Sequence, residues 1–157
     1  RPACAMHIVV LCAFLLAPPT MADSPSPTAA LSADPGDNPL PACPDTPNCE
    51  RVSRPYAAAP DSLFRAAQDA AAGMGPVKMD VSPGTRHMHA VFRVALLFKD
   101  DVDVAVTQAA DDPDASVLHI RSASRVGYSD LGVNARRVER FVGAVHEALA
   151  ATTPRSD

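Results

Sequence analysis

The chain has no tryptophan, and aromatic residues fill 4% of its 157 positions. Single-stranded nucleic acid is held largely by bases stacked on aromatic side chains, so that class of function is set aside. There is no basic excess either. The net charge is −4 and the isoelectric point lies near 5.7, so no global positive field draws nucleic acid. A membrane-spanning helix needs roughly 20 consecutive apolar residues. The apolar run Ile8–Ala17 has ten.

What is present is unevenly placed. Most of the sixteen prolines precede residue 61, which divides the chain into an extended leader and a folded body. The run at 8–17 has the length of a signal-peptide core, Arg1 and His7 precede it, and Thr20-Met21-Ala22 offers small residues at a cleavage site. The alternative, a buried element of the mature domain, fits poorly with Pro18-Pro19. The expected organisation is a signal or targeting segment over 1–22, a Pro/Ser/Ala-rich linker over 23–42, one α+β domain over 43–151 and a tail over 152–157. Export follows as an expectation, to a periplasm or cell envelope or to a thylakoid-type lumen, with no transmembrane span retained.

Cys43 and Cys49 bracket a short loop with two prolines. In an oxidising compartment they can close a small disulfide ring. A reactive pair and a zinc half-site stay open as alternatives. The five intervening residues exceed the usual zinc spacing, and no second Cys/His pair follows.

In the body, Pro60-Asp61 opens a helix with Leu63, Phe64, Ala67, Ala70, Ala71 and Met74 on one stripe. Val77, Met79 and Val81 alternate with polar residues as a strand. A long strand is expected over 87–98, a turn at Lys99-Asp100-Asp101, a third strand through Val102, Val104 and Val106, and a turn at 111–114. Leu118 and Ile120 face the core of the fourth strand. Even-numbered residues are apolar on three successive strands, so the register must keep parity. One such register sets Val106 beside Leu118, Val104 beside Ile120 and Asp103 beside Arg121. The last helix carries Leu131, Asn134, Val138, Phe141, Val142, Val145 and Leu149 as its inward stripe, with Asp130 as N-cap. The expected fold is α+β: a four-stranded antiparallel sheet with two helices packed on one face. His89, Arg93, Asp103, His119 and Arg121 fall on the other face, as a solvated or a binding surface.

Between the last strand and the last helix lies Arg121–Glu139, with far more hydrogen-bonding capacity than a change of direction needs. Cys43-Pro-Asp-Thr-Pro-Asn-Cys49, Phe98-Lys-Asp-Asp-Val-Asp-Val104 and Arg121-Ser-Ala-Ser-Arg-Val-Gly-Tyr-Ser-Asp-Leu-Gly-Val-Asn-Ala-Arg-Arg-Val-Glu139 together resemble the domain-of-unknown-function family 1499. The long third motif is the most specific of them. The resemblance spans residues 40–150, with mild departures at Glu50-Arg51-Val52-Ser53 and at Lys99. It implies bacterial and plastid-type relatives, often behind a targeting segment, and no established activity.

The candidate ligand-binding residues are Arg121, Ser124, Arg125, Tyr128, Ser129, Asp130, Asn134 and Arg136. Arginines, hydroxyls and the exposed amides of a helix N-terminus suit a carboxylate, phosphate or sulfate. The structural reading is equally concrete: Arg125 pairs with Asp130 or Asp100 while the serines staple the turn to Asn134. A hydrolase would use a serine with His119, but the Gly-x-Ser-x-Gly elbow is missing and His119 and Ser122 fall on opposite strand faces. Asp100, Asp101 and Asp103 span too few residues for a calcium loop, and His87 with His89 supplies only two ligands. No metal or cofactor site is put forward. Three readings follow: a non-enzymatic binding or accessory module holding an anionic small molecule or an envelope or lumen protein, a hydrolase-like enzyme on a phosphorylated or ester substrate, and a purely structural loop.

Overall fold

The computed structural model describes residues 38–94 and 97–152, so the expected leader and most of the linker lie outside the described residues. The elements run β1 (Cys49–Tyr56), α1 (Pro60–Gly73), β2 (Lys78–Ser82), a short 3-10 turn (Pro83–Thr85), β3 (His87–Val94), β4 (Phe98–Gln108), β5 (Ser116–Ser124) and α2 (Val133–Thr152). The strands form one antiparallel sheet in the order β1-β5-β4-β3-β2.

The sheet has five strands, not the expected four. The additional one, β1, reads Cys-Glu-Arg-Val-Ser-Arg-Pro-Tyr, so alternating hydrophobicity is nearly absent from it. It is an edge strand, where Pro55 is tolerated because one side needs no ladder donor. Only Val52 and Tyr56 join the core from it.

Parity holds as expected: Val106 pairs with Leu118, Val104 with Ile120 and Asp103 with Arg121. The expected turn at Lys99-Asp100-Asp101 is corrected. Val94 pairs directly with Phe98, so the chain reverses earlier and all three residues belong to β4. The alternation is continuous through this stretch, so it carries no mark of where the reversal falls. The aspartates that suggest a turn by composition are instead held by Arg125, just after β5, and by Arg137 of α2.

Even positions of β3, β4 and β5 face α1 and α2. Met88, Ala90, Val104, Leu118 and Ile120 are fully buried there against Leu63, Ala67, Phe141 and Val145. Removing a side chain such as Phe141 from this layer costs about 3–5 kcal/mol in transfer and cavity terms. Two expectations about exposure fail. Leu131 is 85% exposed with φ 54°, because α2 begins only at Val133 and the preceding turn points it outward. His119, expected on a solvated or a binding surface, is completely buried, as Val91, Ala105 and Val117 on the same face are.

The end of the expected linker also lies on this sheet. The Asn38 side chain donates to Ser53 Oγ at 3.0 Å, and the Arg51 guanidinium donates to the Asn38 and Leu40 carbonyls at 2.8 and 3.0 Å. Leu40 is itself buried.

Candidate functional site

The Arg121–Glu139 stretch leaves the sheet at the end of β5, turns through Gly127 and Gly132, and enters α2. Both glycines have positive φ, 93° and 75°, where a side chain strains the backbone. At Gly132 an added Cβ would also meet Arg136 Nη1 at 3.1 Å. Asp130 closes the turn: its carboxylate accepts from Gly132 N at 2.9 Å and Asn134 N at 2.6 Å. Partial burial works against its charge, but those amides prevail and hold the carboxyl below its usual range.

The inward half of the stretch forms a closed polar network in the core. Ser122 Oγ donates to Asn134 Oδ1 at 2.6 Å, and Arg137 Nη1 donates to the same two oxygens at 2.9 and 2.7 Å. Arg137 Nη2 reaches Asp100 at 2.7 Å, and the guanidinium lies 5.3 Å from the Phe92 ring centroid. Asn134 Nδ2 donates to Ser124 Oγ and to the Asn48 carbonyl. Asp100, Ser122, Asn134 and Arg137 are all buried.

Asn48 ties this network to the cysteine ring. Cys43 and Cys49 form a disulfide, and Asn48 sits inside its loop. The Asn48 carbonyl accepts from Ser124 N at 2.9 Å, and its side chain donates to the Gly127 carbonyl at 2.6 Å. Two motifs 79 residues apart therefore form one unit.

The outward half is different. Arg125 pairs with Asp101 through Nε and Nη2 at 2.9 and 2.7 Å, which corrects the expected partners Asp130 and Asp100. That hydrogen bond and the Asp101 charge raise the arginine's pKa further. Arg121 lies 3.5 Å from Asp103, with its Nε buried and unpartnered, and Asp103 also holds His89 Nδ1 at 2.8 Å. Arg121 and Arg125 thus face carboxylates already. Ser129 Oγ accepts from Leu131 N at 3.3 Å. Tyr128 is 72% exposed and Arg136 is exposed without an ion pair among the described residues.

A cleft of about 180 Å³ opens between the start of β4 and the loop. Val94, Phe98 and Val126 give it apolar walls, while Asp100, Ser124 and Asp130 supply its polar side. His119 is remote from it in chemistry as well as in facing: its ring nitrogens meet Ser53 Oγ at 2.8 Å and Thr107 Oγ1 at 2.9 Å. Burial, and then the charge of Arg51, depress its pKa. Ser122 and Ser124 bond to Asn134 instead. Among the described residues no group of three or more His, Cys, Asp or Glu is arranged to hold a metal ion.

Sequence reasoning missed Arg137, Asp100 and Asn48 as members of the site. For two of them a signal was available. Asp100 shares the even parity of Val102 and Val104, and Arg137 falls three residues after the inward Asn134.

These features define a small α+β domain stapled by one disulfide, with a structured strand-to-helix junction at one end of its sheet. The family "Protein of unknown function (DUF1499)" matches residues 39–145, and the chain belongs to that family. No curated protein matches it by sequence. Among solved structures it is similar to a Chromobacterium violaceum protein at 13% identity, over 68% of this chain and 97% of that one, with a TM-score of 0.45. It is similar to the di-domain ARO/CYC BexL of the BE-7585A biosynthetic pathway at 12% identity, over 66% of this chain and 44% of that one, with a TM-score of 0.43. A Thermus thermophilus protein is similar at 10% identity, over 68% and 99% of the two chains, with a TM-score of 0.39. Nothing about ligand or activity is carried over from these likenesses.

Proposed function

We propose that the domain is a non-enzymatic binding or accessory module, and that the loop Arg125–Gly132 together with the start of β4 is its contact element. One observation carries this reading: the inward polar groups Ser122, Asn134, Arg137 and Asp100 satisfy one another, and what faces outward is an apolar-walled cleft flanked by the exposed loop residues Tyr128 and Leu131. A small apolar cleft with a few convergent polar groups is the usual form of a recognition site. An anionic group on Arg121 or Arg125 has to compete with Asp103 or Asp101, which leaves Arg136 and Tyr128 as its first contacts. Placement in an oxidising compartment outside the cytoplasm belongs to the same proposal, and the Cys43–Cys49 disulfide supports it. No described helix is long and apolar enough to cross a membrane.

The test uses anilinonaphthalene sulfonate, an apolar fluorescent anion. Its emission rises on the folded wild-type domain and most of that rise is lost in Val126→Asp, with the far-UV circular dichroism unchanged. No enhancement on the folded wild type, or full enhancement in Val126→Asp, contradicts the proposal.

A further inference from the structure

An open antiparallel sheet ends in two edge strands, and each offers unpaired N–H and C=O groups to a neighbour. Here the edges are β1 and β2, and they are guarded differently. β1 contains Pro55, with Arg51 and Arg54 exposed, and the chain before it already lies against it. Asn38 Nδ2 donates to the Val52 carbonyl at 3.3 Å, and the Arg51 guanidinium donates to the Leu40 carbonyl at 3.0 Å. β2 reads Lys-Met-Asp-Val-Ser, with Pro76 and Pro83 just outside it, and no described strand pairs with its outer side. The helices pack over β1, β5 and β4. Met79, on the helix side because it pairs with Ala90, stays 36% exposed, and Val77 just before the strand is 50% exposed. The other exposed large hydrophobic residues, Leu97, Phe98, Val126, Tyr128 and Leu131, lie in or beside the loop and the start of β4, so β2 is a separate surface.

The charges on β2 point to the occupant. Lys78 and Asp80 share the face turned away from the helices, 2.6 Å apart, with side chains 65% and 56% exposed. A strand that pairs with its own copy about a two-fold axis runs antiparallel, and the position of the axis sets the register. Side chains must keep to their faces, so the axis falls at a residue and not between two. Centred on Lys78 it sets lysine against lysine, and centred on Asp80 it sets aspartate against aspartate. Each is a like-charge cross-strand pair. Centred on Met79 it sets Lys78 opposite Asp80 of the second copy, and Asp80 opposite Lys78. Met79 then meets Met79 of the second copy on the helix side, and Val81 comes opposite Val77.

We infer that β2 is a self-pairing edge, through which two copies of the chain join, Met79 to Met79, into one continuous sheet. Ladder bonds supply the attachment and the two Lys78–Asp80 pairs fix the register. The inference goes beyond the cleft beside Val126 and does not use it. Five residues a side make less than a standard interface, and each copy carries a net charge of −4. The dimer is therefore weak, with a dissociation constant on the order of 100 μM.

The experiment is sedimentation velocity of the purified full chain over a concentration series that brackets that value. Wild type passes from monomer to dimer. Asp80→Lys alone and Lys78→Asp alone each weaken the dimer about tenfold, since two attractive cross-strand pairs become repulsive. An equimolar mixture of the two variants dimerises as the wild type does, and so does the variant carrying both changes, because each restores opposite charges across the axis. Circular dichroism and urea midpoints show that each variant is folded. A chain that stays monomeric, a dimer indifferent to both single changes, or a mixture no tighter than its components overturns the inference. A monomer in which every β2 amide resists hydrogen exchange also overturns it, because another segment of the same chain then fills the edge.

Discussion

Asp100 and Asp101 are adjacent in sequence, and each carries an oxygen 2.7 Å from an arginine nitrogen. Their surroundings differ completely. Asp100 faces the helices and pairs with Arg137 inside the core, at 3% and 6% side-chain exposure. Asp101 faces the other side of the sheet, a quarter exposed, and pairs with an Arg125 that is nearly half exposed. Distance does not separate the two pairs; desolvation does. Water screens the outer pair and competes for it. The inner pair has given up its hydration, and each charge depends on the other, with Ser122 and Asn134 as further acceptors for Arg137.

The strongest way to break the contrast is Arg137→Ala, which strands Asp100 and leaves Ser122 and Asn134 short of a donor. It costs about 3–5 kcal/mol in urea unfolding, the usual penalty for an uncompensated buried charge. Asp100→Leu combined with Arg137→Met recovers most of that loss, because a packed apolar pair needs no hydration. A double variant as unstable as Arg137→Ala shows that the network is worth more than its charges.

Next comes the ring that anchors the network. Replacing Cys43 and Cys49 by serine removes a cross-link closing a six-residue separation. Loop entropy puts the loss at about 2 kcal/mol. Faster amide hydrogen exchange at Ser124 is the local readout, since that amide bonds to the Asn48 carbonyl. Protection at Ser124 that survives ring opening separates the two motifs again.

His119 sharpens the comparison between buried and exposed polar groups on the second face. Its folded pKa is depressed below the ordinary 6.5 by burial, so the unfolded chain takes up the proton first. The stability it contributes is complete above pH 6.5 and is lost as pH falls towards the folded value. The decline is at most about 1.4 kcal/mol per pH unit. His119→Gln removes that limb of the pH profile; an unchanged slope between neutral and mildly acidic pH assigns the limb to other groups.

Asp130→Ala removes acceptors from two amides at the start of α2 and costs about 1 kcal/mol, as helix caps usually do. A midpoint that does not move places the cap elsewhere. The smallest effect belongs to Arg125→Ala, which leaves the unfolding midpoint where it is. A clear destabilisation by this outer variant erases the distinction between the two pairs.

Much of this was legible from residue pattern. The parity of β3, β4 and β5 was readable because each buries one face, and a slip of one residue would turn Met88, Val104 and Ile120 to the wrong side. The inward Asn134 was readable from helical spacing, and its need for partners follows from burial. β1 was not legible. It buries only Val52 and Tyr56 on the helix side, and its place depends on ladder bonds to β5 that leave no trace in side-chain composition. The eight candidate residues divide by what they touch. Ser124, Asp130 and Asn134 hold the junction together, Arg121 and Arg125 pair across the sheet, Ser129 braces the turn, and Tyr128 and Arg136 point outward.

The amino-acid sequence by itself determined the periods of two and of three to four residues, hence β2 to β5, the two helices and the faces they bury. It also determined the family motif, since the glycines and the capping aspartate act within a few residues of one another. The tertiary structure alone decided which arginines Asp100 and Asp101 meet, and that Asn48 in the cysteine ring holds Ser124 and Gly127. Those choices depend on distances between segments far apart in the chain. Consecutive strand residues point to opposite faces, so one step from Asp100 to Asp101 moves a carboxylate from the core to the solvent.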